Sequence, residues 1–296
     1  MKFTHRLYLI FITLIAIGLA SCGSSSSDKD KSSSESNEAE DSLKAQLEGV
    51  IDNIPPPSEI PYLLQATGAE FNESLVNPRT KVDQYASRTD KAALNLGVYA
   101  ADIGYLSSYD KTQEAIDYLN STKTLADNLG IIGSFDVEVL QKFEANISNK
   151  DSLTQLLDQT MKKTQNYLSD NNRNKLSALV VAGSFVESLY IATGLVKTYP
   201  KDLLPDDSRN LILTPLIRVV LDQKKSVSDL LKMLSSLEQT EPVASIVSHL
   251  KTLEASYNAL NIEEQIKNNK ANLVLTDKNL IEVTTIAEKM RKIVTE

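Results

Sequence analysis

Two acidic residues are candidates for chemistry because each stands alone in a long stretch without other charges. Asp102 is the only charged residue in Ala92–Tyr109, and Glu187 is the only one in Leu176–Val196. A buried carboxylate without partners is costly, or it takes up a proton. Such a group either takes part in binding or catalysis or belongs to an internal ion network. These two positions are therefore the first candidates for a site.

Three further residues complete the candidate cluster. Tyr105 and Tyr190 each follow one of the acids by three residues, which places acid and tyrosine on the same face of a helix. A phenol hydroxyl there can donate a hydrogen bond to the carboxylate. Arg218 is the only charge in its own apolar stretch, and a guanidinium binds a carboxylate through two parallel hydrogen bonds. We therefore expect Asp102, Glu187 and Arg218 to meet in the interior.

Such a cluster has three interpretations. The first is a buried ion network that fixes how the helices align. The second is a pocket with a net charge of about −1 and tyrosine walls, suited to a cationic or polyhydroxyl ligand. In the third, the three charged residues never meet.

The rest of the chain offers little other chemistry. His249 is the only histidine beyond the first 21 residues, and Cys22 is the only cysteine, which excludes His₃ and cysteine-type zinc sites and a Cys–His dyad. The sequence has no Gly-x-Ser-x-Gly, Walker or Gly-x-Gly-x-x-Gly pattern. Hydrolysis by paired carboxylates stays open because acids are abundant. We expect no metal site and no cofactor, assign no catalytic residue, and favour a function other than catalysis.

The pattern of apolar residues predicts helices over nearly all of residues 42–296. Glycine and proline are sparse at 10 and 9, and no stretch alternates long enough to be a convincing strand. Asp110, with Gln113 three residues later, resembles a capping box at the start of a helix. We predict an all-α fold, a single multi-helix bundle of about ten helices with two charge-poor central helices.

The two charge-poor stretches have small residues around their acids, among them Gly97, Gly104 and Gly183. Small residues let helix axes approach closely, so we expect these two helices to pack against each other at the centre. The second stretch is long enough to cross a membrane. We reject that interpretation because Glu187 lies near its middle.

The beginning of the chain has the features of a lipoprotein signal peptide. A short basic region precedes the apolar run Leu7–Leu19, whose thirteen helical residues would span roughly 20 Å, less than a bilayer core of about 30 Å. Leu19-Ala20-Ser21-Cys22 follows and matches a lipobox. We predict removal of residues 1–21 and lipidation of Cys22, typically with palmitate.

A polar tether and an acidic domain follow the predicted lipidation site. Residues 22–41 are rich in serine and acids and lack large apolar side chains, so they are predicted to be disordered. The formal net charge is −8, and removal of residues 1–21 lowers it to −10. Such a charge disfavours nucleic acid as a partner.

Two segments resemble a family of uncharacterised all-helical lipoproteins of Bacteroidota. They are Leu96–Tyr105 (LGVYAADIGY) and Gly183–Tyr190 (GSFVESLY). The resemblance implies a lipid-anchored protein of the cell envelope, with the outer membrane as its expected location and no leaflet assigned, and implies no reaction.

These features together predict a membrane-anchored, non-enzymatic helical binding or interaction module. Its partners would be the membrane, through the lipid, and an envelope protein or a small ligand. The alternatives are an envelope enzyme that uses the carboxylate–tyrosine cluster and a purely structural scaffold. An open cavity at Asp102 or Glu187 would favour a ligand-binding module or an enzyme, and a solid core would favour a scaffold or binding through the surface.

Overall fold

The computed structural model describes residues 41–46, 48–50, 53–131, 137–146, 149–171, 173–199, 206–260 and 278–296. Within these residues the chain forms α-helices and short 3-10 turns and no strand, which confirms the all-α prediction. After a helical stretch at residues 41–46 and 48–50, the helices are α1 (Glu59–Ala66), α2 (Val82–Ala86), α3 (Thr89–Ser108), α4 (Thr112–Asn128), α5 (Val137–Ala145), α6 (Lys150–Asp170), α7 (Asn174–Thr198), α8 (Asp206–Leu221), α9 (Lys224–Ser235), α10 (Val243–Ala259) and α11 (Lys278–Thr295).

The predicted signal peptide, Cys22 and nearly all of the tether lie outside the described residues. Residues Leu43–Glu296 form one compact unit, separate from the preceding part of the chain. The helices described below all belong to this unit.

Helices α3 and α7 pack against each other along most of their lengths, as the small residues predict. A Cβ atom added at Gly97 would overlap the carbonyl oxygen of Val180, and one added at Gly183 would overlap that of Leu94. The two backbones therefore touch at these glycines, and no larger residue fits at either crossing point.

Other helices enclose this central pair. Helices α1, α4 and α6 pack on α3, while α11 packs on α7 and is itself covered by α10. Consecutive residues are consequently buried in both central helices, as in Ala92–Ser108 of α3. Helix α7 is long and apolar enough to cross a membrane, but 94% of its most apolar window is buried inside the protein. A helix that is apolar all round suits the centre of a large core.

An irregular segment, residues 67–81, joins α1 to α2 and enters this core at residues 75–77. It contains two short 3-10 turns, and Leu75, Val76 and Asn77 are buried. Gly194 of α7 makes room for Leu75, whose Cδ2 atom would lie 2.6 Å from an added Cβ. Buried irregular backbone needs hydrogen-bond partners outside any ladder. The residues that supply them form the site described below.

The predicted capping box at Asp110 is wrong. Asp110 has a φ of 59° and closes α3, because its N–H donates to the carbonyl of Ser107 while the N–H of Lys111 donates to that of Leu106. This pair of bonds is a Schellman motif, in which the left-handed residue is usually glycine. Helix α4 then begins from Lys111 without a side-chain cap.

Substitution of Gly183 tests the close approach of the two central helices. We expect Gly183→Ala to lower the free energy of unfolding by about 1–3 kcal/mol or more, because the new methyl group forces the backbones apart. Unfolding in urea, followed by circular dichroism at 222 nm, measures the change.

Gly49 provides the matched control, since nothing lies within 4 Å of an added Cβ there. Gly49→Ala should leave the stability unchanged or raise it by up to about 1 kcal/mol, because alanine favours a helix. Equal losses in the two variants would contradict the packing described here.

Candidate functional site

The packing of α3 on α7 brings Asp102 and Glu187 together at the centre of the protein. Both residues have an exposed fraction of 0%, and their carboxyl groups share a hydrogen bond. Two ionised carboxylates within hydrogen-bonding distance of each other, in a core without water, would repel each other strongly. The pair therefore needs a proton, a cation or both.

Arg291 of α11 supplies the cation. Its Nε donates to Oε2 of Glu187 at 3.2 Å and its Nη2 to Oε1 at 3.4 Å, so the guanidinium holds both carboxylate oxygens. The arginine side chain is itself largely covered, with an exposed fraction of 17%. The guanidinium carbon also lies 4.6 Å from the ring centre of Tyr190, within the range of a cation–π contact.

Asn77, from the irregular segment, contacts the other carboxyl group. Its backbone N–H donates to both oxygens of Asp102, at 3.4 and 3.3 Å. The hydroxyl of Tyr85 donates to Oδ1 of Asn77 at 3.2 Å, and that of Tyr118 donates to its carbonyl oxygen at 2.7 Å. Burial raises the pKa of Tyr85 to about 12, so this hydroxyl keeps its proton at neutral pH. The two tyrosines thereby fix the peptide that faces Asp102.

We infer from the causes of the pKa shifts that the proton of the pair resides on Asp102. Burial and the nearby charge of Glu187 raise the pKa of Asp102 well above its ordinary 3.8. Burial also raises the pKa of Glu187, but Arg291 and the hydrogen bond from Asp102 oppose that rise. For Arg291, burial favours loss of the proton, yet the carboxylate of Glu187 outweighs it and raises the pKa. Neutral Asp102 therefore donates to an ionised Glu187 that is paired with Arg291.

The structure brings together three of the five residues proposed from the sequence. Asp102, Glu187 and Tyr190 lie in the cluster. The expected role of Tyr105 is wrong, because its hydroxyl accepts a hydrogen bond from the N–H of Asn72 at 2.8 Å while its ring stacks on Phe71. The expected meeting of Arg218 with the acids is also wrong.

Arg218 lies on α8 with an exposed side chain, and Arg291 takes the position that we expected it to fill. A weak signal for Arg291 was present in the sequence. It lies four residues after Ala287 and three before Val294, on the stripe of α11 that is buried. An arginine in an apolar stripe points into the core, but the lysines of the same helix make one further cation inconspicuous in the sequence.

The geometry of the cluster suits an internal ion network. Each carboxyl group is fully covered, and the two carboxyl groups with their two partners, Arg291 and the N–H of Asn77, come from four segments of the chain, namely α3, α7, α11 and the irregular segment. Removing one partner from such a network is costly, because it leaves an unpaired buried charge. The cluster therefore aligns helices, but it is not the network predicted from the sequence, because Arg218 does not meet the acids and Arg291 takes its place.

An open groove lies beside the central helix α7, on a different side of that helix from the acid cluster. It has a volume of about 230 Å³ and is bounded by Pro55-Pro56-Pro57, by Asp158 and Lys162 of α6, and by Val181 and Ser184 of α7. Its lining includes neither Asp102 nor Glu187. Among the described residues, no group of three histidine, cysteine or acidic side chains is arranged to hold a metal ion.

Comparisons with protein-family models, with curated proteins and with solved structures find no match for this chain. The motifs and the geometry of the two sites therefore carry the functional assignment.

Arg291 and Arg218 offer a matched pair of substitutions. We expect Arg291→Gln to lower the free energy of unfolding by about 3–5 kcal/mol, because it leaves the charge of Glu187 buried without a partner. Arg218→Gln should change it by less than about 0.5 kcal/mol, since that side chain is exposed. Urea unfolding of both variants measures the difference.

A second substitution at Glu187 isolates the pair. Glu187→Gln in the Arg291→Gln background should recover part of the lost stability, because the buried charge is removed. Similar stabilities of the two arginine variants would show that the ion pair does not hold the core.

Asp102→Asn tests the location of the proton. Because the pKa of Asp102 is raised in the folded state, the folded protein holds a proton that the unfolded chain has lost above about pH 4, so stability falls as the pH rises through this window. The slope for one proton is about 1.4 kcal/mol per pH unit. Asparagine mimics the protonated acid, so the variant should gain stability relative to the natural protein as the pH rises.

Urea unfolding at pH 4, 6 and 8 measures this difference, with the exposed Asp83→Asn as the control. Parallel stability curves for the natural protein and Asp102→Asn would rule out a protonated Asp102.

Proposed function

We propose that this chain is a lipid-anchored protein of the bacterial cell envelope whose helical domain is a non-enzymatic binding module. The lipobox Leu19-Ala20-Ser21-Cys22, placed directly after the apolar run Leu7–Leu19, carries the proposal. The cysteine thiol accepts diacylglycerol, and cleavage before Cys22 then frees its amino group. Two or more acyl chains hold a protein to a membrane durably, whereas one does not.

The tether fits the same proposal. Some 20 serine-rich and acidic residues span roughly 25 Å as a flexible chain, enough to hold a domain clear of the lipid headgroups. An acidic domain gains nothing from anionic headgroups, so the lipid has to supply the membrane affinity. The resemblance to envelope lipoproteins of Bacteroidota favours the outer membrane.

The two sites favour binding over catalysis. Asp102 and Glu187 are fully buried and engaged with protein partners, so a substrate does not reach them. The groove at Asp158, by contrast, opens to the surface and combines apolar walls with charged side chains. Such a groove favours a ligand-binding module over a scaffold without a ligand.

Cys22→Ser tests the anchor. We expect the natural protein, expressed in a bacterial host, to incorporate labelled palmitate and to sediment with membranes, and the variant to lose both properties. Mass spectrometry of the natural protein should find lipidated Cys22 as its first residue.

Moving the thiol provides a control for non-specific acylation. Ser24→Cys in the Cys22→Ser background keeps one cysteine in the same segment but outside the lipobox, so labelling should remain absent. Labelling of either variant, or a mature protein that begins at Met1, would overturn the proposed anchor.

A further inference from the structure

The groove contains a carboxylate whose charge is not neutralised. The hydroxyl of Ser58 donates to Oδ2 of Asp158 at 2.6 Å, and the backbone N–H of Ser58 also bonds this carboxylate. Oδ1 is buried and has no hydrogen-bond partner. Within the described part of the chain, no lysine or arginine forms an ion pair with Asp158. The terminal torsion of aspartate is soft, so either oxygen can turn toward a donor in the groove.

Lys162 places an opposite charge one helical turn away. Residues four apart on a helix have Cβ atoms about 5–6 Å from each other, so Asp158 and Lys162 lie on the same face of α6. They do not form an ion pair, and among the described residues no carboxylate pairs with Lys162. The groove therefore presents a negative and a positive group side by side, each without a protein partner of opposite charge.

The remaining walls are mostly apolar, with Gln165 and Ser184 as the other polar residues of the lining, and the space is small. Ile54, Met161 and Val181 line the groove together with the three prolines. Its volume of about 230 Å³ lies below the range of roughly 300–1,000 Å³ that is typical of pockets for drug-sized ligands. An occupant would thus have few heavy atoms, an apolar part, and two opposite charges close together.

We propose that this groove binds a free α-amino acid with an apolar side chain, whose ammonium group bonds Asp158 and whose carboxylate bonds Lys162. The two charges of an α-amino acid are separated by one carbon atom, which matches two side chains on neighbouring turns of one helix. The apolar side chain packs on the proline wall. This inference rests on the proposed binding function and names the ligand class of its groove.

Three related compounds test the assignment: leucine, leucinamide and N-acetylleucine. Saturation-transfer NMR on the full-length protein in detergent detects weak binding through the leucine methyl groups. Leucine should bind most tightly. Leucinamide lacks the carboxylate and N-acetylleucine lacks the ammonium group, so each loses one charged hydrogen bond and should bind roughly tenfold or more weakly.

Substitutions assign each end of the ligand to its residue. Asp158→Asn should raise the dissociation constant of leucine roughly tenfold or more. Lys162→Gln should weaken the binding of leucine but leave that of leucinamide unchanged, because the amide has no carboxylate to lose. Asp170→Asn and Lys163→Gln change the same charges at exposed positions of α6 and should have no effect.

Asp158 also binds Ser58, so far-ultraviolet circular dichroism checks that its variant is folded. If the Asp158→Asn variant is not folded, the compound series and the Lys162→Gln variant still test the proposal. No transfer to leucine, equal transfer to all three compounds, or unchanged binding in the Lys162 variant would overturn the assignment. Such a result with intact palmitate labelling would contradict the proposed ligand but not the proposed anchor. Loss of labelling would contradict the anchor but not the proposed ligand of the groove.

Discussion

The charge on Glu187 has to be neutralised inside a core that excludes water, and much of the structure depends on this requirement. The carboxylate sits where the backbones of α3 and α7 touch, so solvent cannot reach it. One hydrogen bond from protonated Asp102 and two from Arg291 replace the water it has lost. Since Arg291 lies 104 residues further along the chain, its bond fixes the last helix against the central pair.

The same requirement explains how an irregular segment can enter the core. The N–H of Asn77 bonds Asp102, while its side-chain and backbone carbonyl oxygens accept hydrogen bonds from Tyr85 and Tyr118. The hydroxyl oxygen of Tyr85 also lies 3.1 Å from the carbonyl oxygen of Thr295, in the last turn of α11, so its one proton is shared between two acceptors. The acid pair thus joins the two central helices, the irregular segment and the C-terminal helix into one polar network.

The residues that hold the core together are different from those that are proposed to bind a ligand. The two acids that stand alone in the sequence are engaged in holding helices together, whereas the groove is lined by two other charged residues, Asp158 and Lys162. The groove is built on α6, α7 and the turn of three prolines, so rigid elements position its charged groups. A lipid on Cys22 and a flexible tether would present this groove to the space beside a membrane.

The sequence by itself determined the helical class, the two central helices and the positions of their buried acids, because these depend on local patterns of apolar, small and charged residues. It also contains the segment Leu19-Ala20-Ser21-Cys22, which matches a lipobox as a short linear motif. Only the tertiary structure decided which arginine meets Glu187. Arg218 stands alone in an apolar stretch, whereas Arg291 lies in a helix rich in lysine. Arg218 is nevertheless the exposed residue of the two, because the packing of whole helices sets which face of each helix is covered. The left-handed Asp110 and the groove were equally hidden, since one depends on how two helices join and the other on three segments that are distant in the chain.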